Sequence, residues 1–418
     1  MLRSPLASNV PFSTMSTASE LDQLKYDFLI RTGELLHKYG TPSHRLERVM
    51  TKIARTLGVE SVFLYTPTAL VAAFGEGREE KTFMRRVDSG SVDAEKLIQF
   101  DEILERLEAG EIDIASAAEA MERAAAAKPL YSTLATALVC GIGCACVAVF
   151  FGGGWEEILT AGLIGLSIAG IEIAQSKLGW EAGLLFPVAG FFAGMVSLGI
   201  SRFIHPIDDR LVTLASLIVL LPGFSLTMAL TELAIGHLSA GVARLAGASV
   251  TLVTLFLGVA ISWRIAGEWR IDSPIVEPVS RWIHWIALSI APAAFAILFR
   301  VRLSLWPVVF AISLSGYFTA TWFGAKYGVE VGSFLGALVV GSGSNLFARL
   351  RDRPALVPLA PGLILLVPGS LGYRSLSALL NRQTVEGIEF AFAMIVVAIS
   401  LVGGLLASSA LVPPKRIL

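Results

Sequence analysis

From Tyr131 to Leu411 the sequence is a succession of apolar runs separated by short polar breaks. Each run is about 20 residues long, which is the length of helix that a bilayer core of about 30 Å takes. Repeated runs of that length commit this part of the chain to the membrane. Charge divides the sequence at the same place. Residues 1–129 hold 36 of the Asp, Glu, Lys and Arg residues, and the other 289 residues hold 31. The first part is therefore about 28% charged and the second about 11%, against about 25% in an ordinary soluble domain. The net charge of -1 gives no reason to expect nucleic acid as a partner.

The runs predict ten spans. They lie near Tyr131–Phe151, Ile158–Ala174, Ala182–Phe203, Leu211–Leu233, Val242–Trp263, Ile283–Phe299, Leu303–Phe323, Val331–Leu350, Ala355–Leu380 and Ile388–Leu411. The expected fold class is a mainly α-helical polytopic membrane protein with a small α/β N-terminal soluble domain. The expected organisation is a disordered tail over 1–19, a soluble domain over 20–129, five spans over 130–265, a polar linker over 266–281 and five more spans over 282–412.

No basic start, apolar core and small-residue cleavage site mark a signal peptide. A charged domain ahead of the first span stays in the cytoplasm, so an integral protein of the plasma (inner) membrane with a cytoplasmic N-terminus is expected. Loop charge does not decide the orientation. Arg349, Arg351 and Arg353 favour it, and Arg264, Arg270 and Arg281 oppose it.

In the soluble part, Leu21, Leu24, Phe28, Leu29, Leu35 and Leu36 recur at helical spacing. A second helix is expected from Thr41-Pro42 to Gly58, with Pro42 in its first turn. Ser61–Tyr65, Ala69–Phe74 and Lys81–Val87 read as strands. Helices follow over Asp93–Ala109 and Ile114–Ala126, the latter with a capping box at Ser116-x-x-Glu119.

The apolar part repeats itself. Leu217-Ile218-Val219-Leu220-Leu221-Pro222-Gly223 recurs 146 residues later as Leu363-Ile364-Leu365-Leu366-Val367-Pro368-Gly369. The same offset pairs Gly170 with Gly316, Gly190 with Gly336, Gly241 with Gly387 and Gly258 with Gly404. Duplication into two five-helix repeats is therefore expected. An odd number of spans per repeat inverts the second relative to the first, the architecture of many secondary transporters. Proline breaks a helix, and backbone groups freed inside a membrane need protein or a watery cavity to satisfy them. Pro222, Gly223, Pro368 and Gly369, with Asn345 in its small-residue setting, are therefore the candidate substrate-binding residues. The competing reading is a plain proline kink, which two breaks at equivalent positions disfavour.

Ionisable residues at membrane depth line pathways or relay protons. Glu232, Glu172 and Arg244 are the candidate coupling residues; the competing reading puts Glu232 and Arg244 at the membrane interface. Cys140, Cys144 and Cys146 read as small packing residues, not a metal site or a disulfide framework. Gly152-Gly153-Gly154 lacks the context of a phosphate loop, and neither a metal nor a cofactor is expected.

A family resemblance joins these features. Gly33-Glu34, Tyr39-Gly40-Thr41-Pro42-Ser43-His44-Arg45-Leu46-Glu47 and Thr66-Pro67-Thr68 resemble the N-terminal domain of the threonine/serine exporter family. Leu221-Pro222-Gly223, Glu232-Leu233 and Gly241-Val242-Ala243-Arg244-Leu245 are similar to the same family, and Pro361-Gly362 with Leu366-Val367-Pro368-Gly369 resembles its C-terminal module. The resemblance covers the chain from about residue 25. It implies ten spans, a cytoplasmic N-terminal domain and export of threonine, serine or related molecules driven by protons. An amino-acid substrate, protons and the lipid bilayer are thus the expected partners, and a homo-oligomer is left open. Gly33, His44, Arg45 and Glu47 are the domain-motif residues. His44 and Glu47 share a helical face, and docking or gating is expected of them. The alternative is a membrane-anchored hydrolase or sensor whose N-terminal domain carries the activity; two equivalent helix breaks argue for transport and not for a scaffold.

Overall fold

The computed structural model describes residues 18–77, 80–88, 90–269, 277–367 and 369–413. The chain forms two compact units, residues 1–90 with 96–128 and residues 91–95 with 129–418.

The first unit sets α1 (Ala18–Lys38) and α2 (Ser43–Thr56) beside an antiparallel sheet in the order β1 (Ser61–Thr66), β2 (Ala69–Phe74), β3 (Lys81–Arg86). Ser61 pairs with Phe74, and Ala69 pairs with both Thr66 and Arg86. Alternation assigns the faces: Phe63, Tyr65, Leu70, Ala72 and Phe74 are buried, while Val62 and Leu64 are exposed. Tyr26 of α1 stacks on Phe74 with centroids 4.6 Å apart. α2 begins one residue later than expected, with Pro42 as N-cap. α3 (Ala94–Glu108) and α4 (Ile114–Ala126) complete the fold. The cap of α4 is Asp113, which accepts from Ser116 N at 2.9 Å, so the expected Ser116 box gives way to a carboxylate one turn earlier.

Among the described residues, the regular elements of the second unit are helices: α5 (Thr133–Phe150), α6 (Trp155–Leu178), α7 (Leu185–Phe203), α8 (Asp209–Ser216), α9 (Gly223–Ala234), α10 (Leu238–Ile265), α11 (Arg281–Leu298), α12 (Trp306–Tyr327), α13 (Val329–Arg351), α14 (Leu356–Ile364), α15 (Gly369–Leu380) and α16 (Thr384–Leu411). Among the described residues, nine helical stretches are long and apolar enough to cross a membrane. The expected fourth span is not among the nine. It is split into α8 and α9, of 8 and 12 residues, and neither half reaches membrane length alone. Arg270, Asp272 and Pro274 of the expected linker lie outside the described residues.

Small residues let these helices approach closely. Gly141 of α5 packs against Gly162 and Leu166 of α6, and Gly165 against Cys144, so the two run antiparallel. Gly258 faces the Pro187 carbonyl and Gly194 faces Ser262, so α7 and α10 run the same way. Gly404 faces the Phe334 carbonyl and Gly341 faces Ser408, so α13 and α16 do likewise. Local conformation recurs at the 146-residue offset. His237 and Gln383, N-caps of α10 and α16, have φ/ψ of -80/64 and -86/67. Gly236 and Arg382 before them both have positive φ. Ser262 donates to Val259 O, and Ser408 to Leu405 O, each at 2.7 Å.

Residues 91–95 pack within this unit. Arg300 Nη1 donates to Asp93 at 2.7 Å, Arg302 pairs with Glu95, and Ala94 N donates to Phe299 O at 2.9 Å. These contacts seat the turn between α11 and α12, where Arg300 holds a left-handed φ of 56.

Candidate functional site: two crossing helix breaks and a buried ion pair

The first break is residues 217–222, between α8 and α9. Proline has no N–H to continue the ladder, and local groups satisfy what is freed. The Cys144 thiol donates to Ser216 O at 3.3 Å, Gly223 N donates to Leu221 O at 2.8 Å, and Thr227 Oγ1 donates to Gly223 O at 3.2 Å. Cys144, expected only to pack, thus also satisfies the end of α8. The second break follows Ile364; α15 resumes at Gly369, and Pro368 lies outside the described residues.

The breaks cross. A Cβ placed on Gly223 would lie 2.1 Å from Val367 Cγ1 and 3.2 Å from Gly369 Cα. One on Gly369 would lie 3.4 Å from Leu221 Cβ and 3.5 Å from Gly223 Cα. The two breaks thus lie close together, and at Gly223 a side chain would drive into Val367. Asn345 is buried on α13, beside the fully buried Ser344. The same helix faces the second break through Gly336, whose added Cβ would lie 3.3 Å from Leu366.

Glu232 and Arg244 come together. Glu232, near the end of α9, has no exposure to solvent. Arg244 on α10 grips both its oxygens, Nε to Oε2 at 3.0 Å and Nη2 to Oε1 at 3.1 Å. Such a fork is the strong geometry for a guanidinium and a carboxylate. The tight corner at Gly236, with φ of 90, brings the two helices into register for it. Spacing along the sequence alone did not reveal this pair. Glu172 is not part of it: it projects from an exposed face of α6 and makes no hydrogen bond or ion pair among the described residues. Glu157, which sequence reasoning passed over, is buried and accepts from Gly154 N at 2.9 Å and from Asp208 N at 3.2 Å, tying the start of α6 to the start of α8.

The domain-motif residues gather in the first unit. Gly33 of α1 lies against the Tyr65 hydroxyl, where an added Cβ would come within 2.1 Å. Glu47 Oε1 accepts from Tyr65 N at 3.2 Å, and His37 Nε2 is 3.2 Å from Pro67 O. Burial, with Arg48 adding to it, lowers the pKa of Arg45 to about 10. Burial pushes the Tyr65 phenol up. His44 is buried in the first turn of α2. Among the described residues, no three His, Cys, Asp or Glu side chains cluster as a metal site.

Among the described residues, nine helical stretches long and apolar enough to cross a membrane, with two broken helices meeting at Gly223 and Gly369, define a polytopic membrane protein. The family description "Putative threonine/serine exporter" matches residues 27–266, and "Threonine/Serine exporter" matches residues 284–411. The chain belongs to the threonine/serine exporter family and carries both of its modules. It is similar to "Pheromone-regulated membrane protein 10" of Eremothecium gossypii, at 26% identity over 93% of this chain and 56% of that protein. The proteins of the same name from Saccharomyces cerevisiae and Kluyveromyces lactis are each 24% identical over 93% of this chain, and over 54% and 43% of their own lengths. The chain thus spans about half the length of the curated relatives it matches. No solved structure matches it.

Proposed function

We propose that the chain is a secondary transporter that exports threonine, serine or related small metabolites by proton antiport with alternating access. The observation that carries this reading is the backbone contact between Gly223 and Gly369. Two broken helices meeting in the interior bring helix ends together, and their backbone N–H and C=O groups can exchange local partners for the carboxylate and ammonium of an amino acid without many charged side chains. Pro222, Gly223, Pro368, Gly369 and Asn345 form the proposed substrate site.

The membrane part divides, in this reading, into five-span halves over 130–265 and 282–412, joined by a linker and inverted. The opposed course of the two first spans supports inversion. Phe150 at the end of α5 meets His284 near the start of α11, with centroids 5.3 Å apart. Tyr131, ahead of α5, donates to Val301 O, beyond the end of α11, at 2.7 Å. Equivalent helices running antiparallel is what an axis in the membrane plane produces.

Glu232 is the coupling acid and Arg244 its internal counter-ion. To take a proton, Glu232 must release Arg244, and this exchange couples proton entry to movement of α9 against α10. Glu172 is a secondary candidate along α6. The N-terminal domain lies in the cytoplasm, the protein in the plasma membrane, and the domain regulates the bundle without covalent chemistry. Reconstituted protein should release labelled threonine and serine when a proton gradient is imposed. Absence of both amino-acid flux and counter-movement of protons would overturn the reading.

A further inference from the structure

The corner between α15 and α16 is built unlike its counterpart between α9 and α10. At the offset of 146, Glu232 and Arg244 correspond to Ala378 and Phe390. The first corner is filled by an ion pair; at the second, Ala378 and Phe390 line an open cavity of about 310 Å³. The charges around that cavity come from elsewhere: Arg210 and Asp208 at the start of α8, Arg374 on α15 and Glu386 on α16. Gln383 and Ser377 add neutral polar groups.

The cavity lies at one end of the bundle, where α5 ends at Phe150, α8 begins, and α15 gives way to α16. The Glu232–Arg244 pair lies at the far end of the broken span that starts at Asp209. The two corners therefore face opposite ends of the same bundle, one closed and one open.

The lining is balanced, with two guanidinium groups and two carboxylates. Asp208 is already engaged, its Oδ1 accepting from Arg210 N and Leu211 N at the N-cap of α8. The guanidinium of Arg374 lies 5.3 Å over the Phe151 ring. A cation held over a ring in this way keeps N–H groups available to a ligand. Arg210, Arg374 and Glu386 make no ion pair among the described residues. A volume at the small end of the range for ligand pockets, about 300–1,000 Å³, suits a metabolite of few heavy atoms.

We propose that this cavity is an entry or exit vestibule for the zwitterion of a small amino acid, with Arg374 and Arg210 holding its carboxylate and Glu386 its ammonium. This rests on the transporter reading above and adds a second site, distinct from the crossing of the breaks and present on one side only. In the closed corner the protein supplies both charges, Glu232 and Arg244. In the open corner the ligand supplies one partner for each charged group.

The test uses the full chain in proteoliposomes and in detergent. With threonine offered separately to each face, Arg374→Gln and Glu386→Gln should each raise KM about tenfold or more on one face and leave the other unchanged, the loss of one charge-assisted contact. Arg374→Lys should recover part of the effect. In detergent, threonine should raise the Tm of the native protein more than threonine methyl ester or N-acetylthreonine does, and Arg374→Gln should abolish that preference. As a readout independent of turnover, the thiol of Ser377→Cys should react with a membrane-impermeant reagent from one face, and threonine should slow the reaction. If the native protein exchanges threonine while Arg374→Gln and Glu386→Gln keep native KM on both faces, the vestibule is overturned and transport stands. If the native protein neither binds nor moves any amino acid, the transporter reading fails and the vestibule fails with it.

Discussion

Glu232 shows how much one side chain in this bundle depends on its partner. A fully buried carboxylate is tolerable because Arg244 grips both oxygens. Arg244→Gln removes the partner and leaves a buried charge, which should cost about 3–5 kcal/mol, read as a fall in Tm of the detergent-solubilised protein. Glu232→Gln removes the group proposed to take the proton. Threonine exchange should persist in that variant while its pH dependence disappears; a native pH profile would exclude Glu232 from coupling. In the first unit, Arg31 holds Glu122 through hydrogen bonds at 2.5 and 3.1 Å, and this lowers the carboxyl pKa. A depressed carboxylate contributes stability above its unfolded pKa and loses it as pH falls through the folded value. Arg31→Gln should therefore destabilise by no more than about 1 kcal/mol at neutral pH, since both partners are half exposed. The difference from the native protein should vanish in acid, as followed by thermal melts across a pH series.

At the scale of elements, the helix breaks and caps carry the design. Gly223→Val would drive a side chain into Val367 and the Gly369 backbone. Overpacking of this kind costs about 1–3 kcal/mol, and here it should also abolish transport by forcing the breaks apart. Pro222→Ala should leave a folded protein, since alanine is compatible with helix, yet impair substrate binding if the open backbone is the site. Native transport in the double variant Pro222→Ala and Pro368→Ala would sink the broken-helix site. The cap of α4 is a simpler case. Asp113→Ala should lower Tm, as thermal melts measure, because it removes the carboxylate that accepts from the Ser116 backbone N–H.

For the molecule as a whole, the turn between α11 and α12 is fastened by residues more than 200 positions earlier in the chain, through Asp93 with Arg300 and Glu95 with Arg302. Asp93→Arg should lower Tm, and the charge reversal Asp93→Arg with Arg300→Asp should recover part of the loss, as a double-mutant cycle measures. Inversion of the halves has its own check. Cysteines placed at Leu238 and at Thr384, the first residues of α10 and α16, should react with impermeant reagent from opposite faces of the membrane. Labelling from one face would remove the inverted arrangement.

Local chemistry determined what local chemistry can reach. Run length and charge density set the membrane part apart from the charged N-terminal part, and the segments read as strands at Ser61–Tyr65, Ala69–Phe74 and Lys81–Val87 fall on β1, β2 and β3. The 146-residue offset pointed to both helix interruptions, because proline and glycine act on their own backbone. The three-residue shift to Asp113 at the α4 cap was also a local matter, between two acceptable caps. What the sequence did not reveal depends on distant segments meeting. The contact of Gly223 with Gly369, the grip of Arg244 on Glu232 and the tie from Glu157 to Asp208 join residues 146, 12 and 51 positions apart. Periodicity says which face of a helix is apolar, but not which neighbour that face will meet. Glu172 makes the same point in reverse: at sequence level it ranked beside Glu232, and tertiary packing left one on an exposed face and enclosed the other, because a helix fixes the direction of a side chain and only its neighbours fix what lies there.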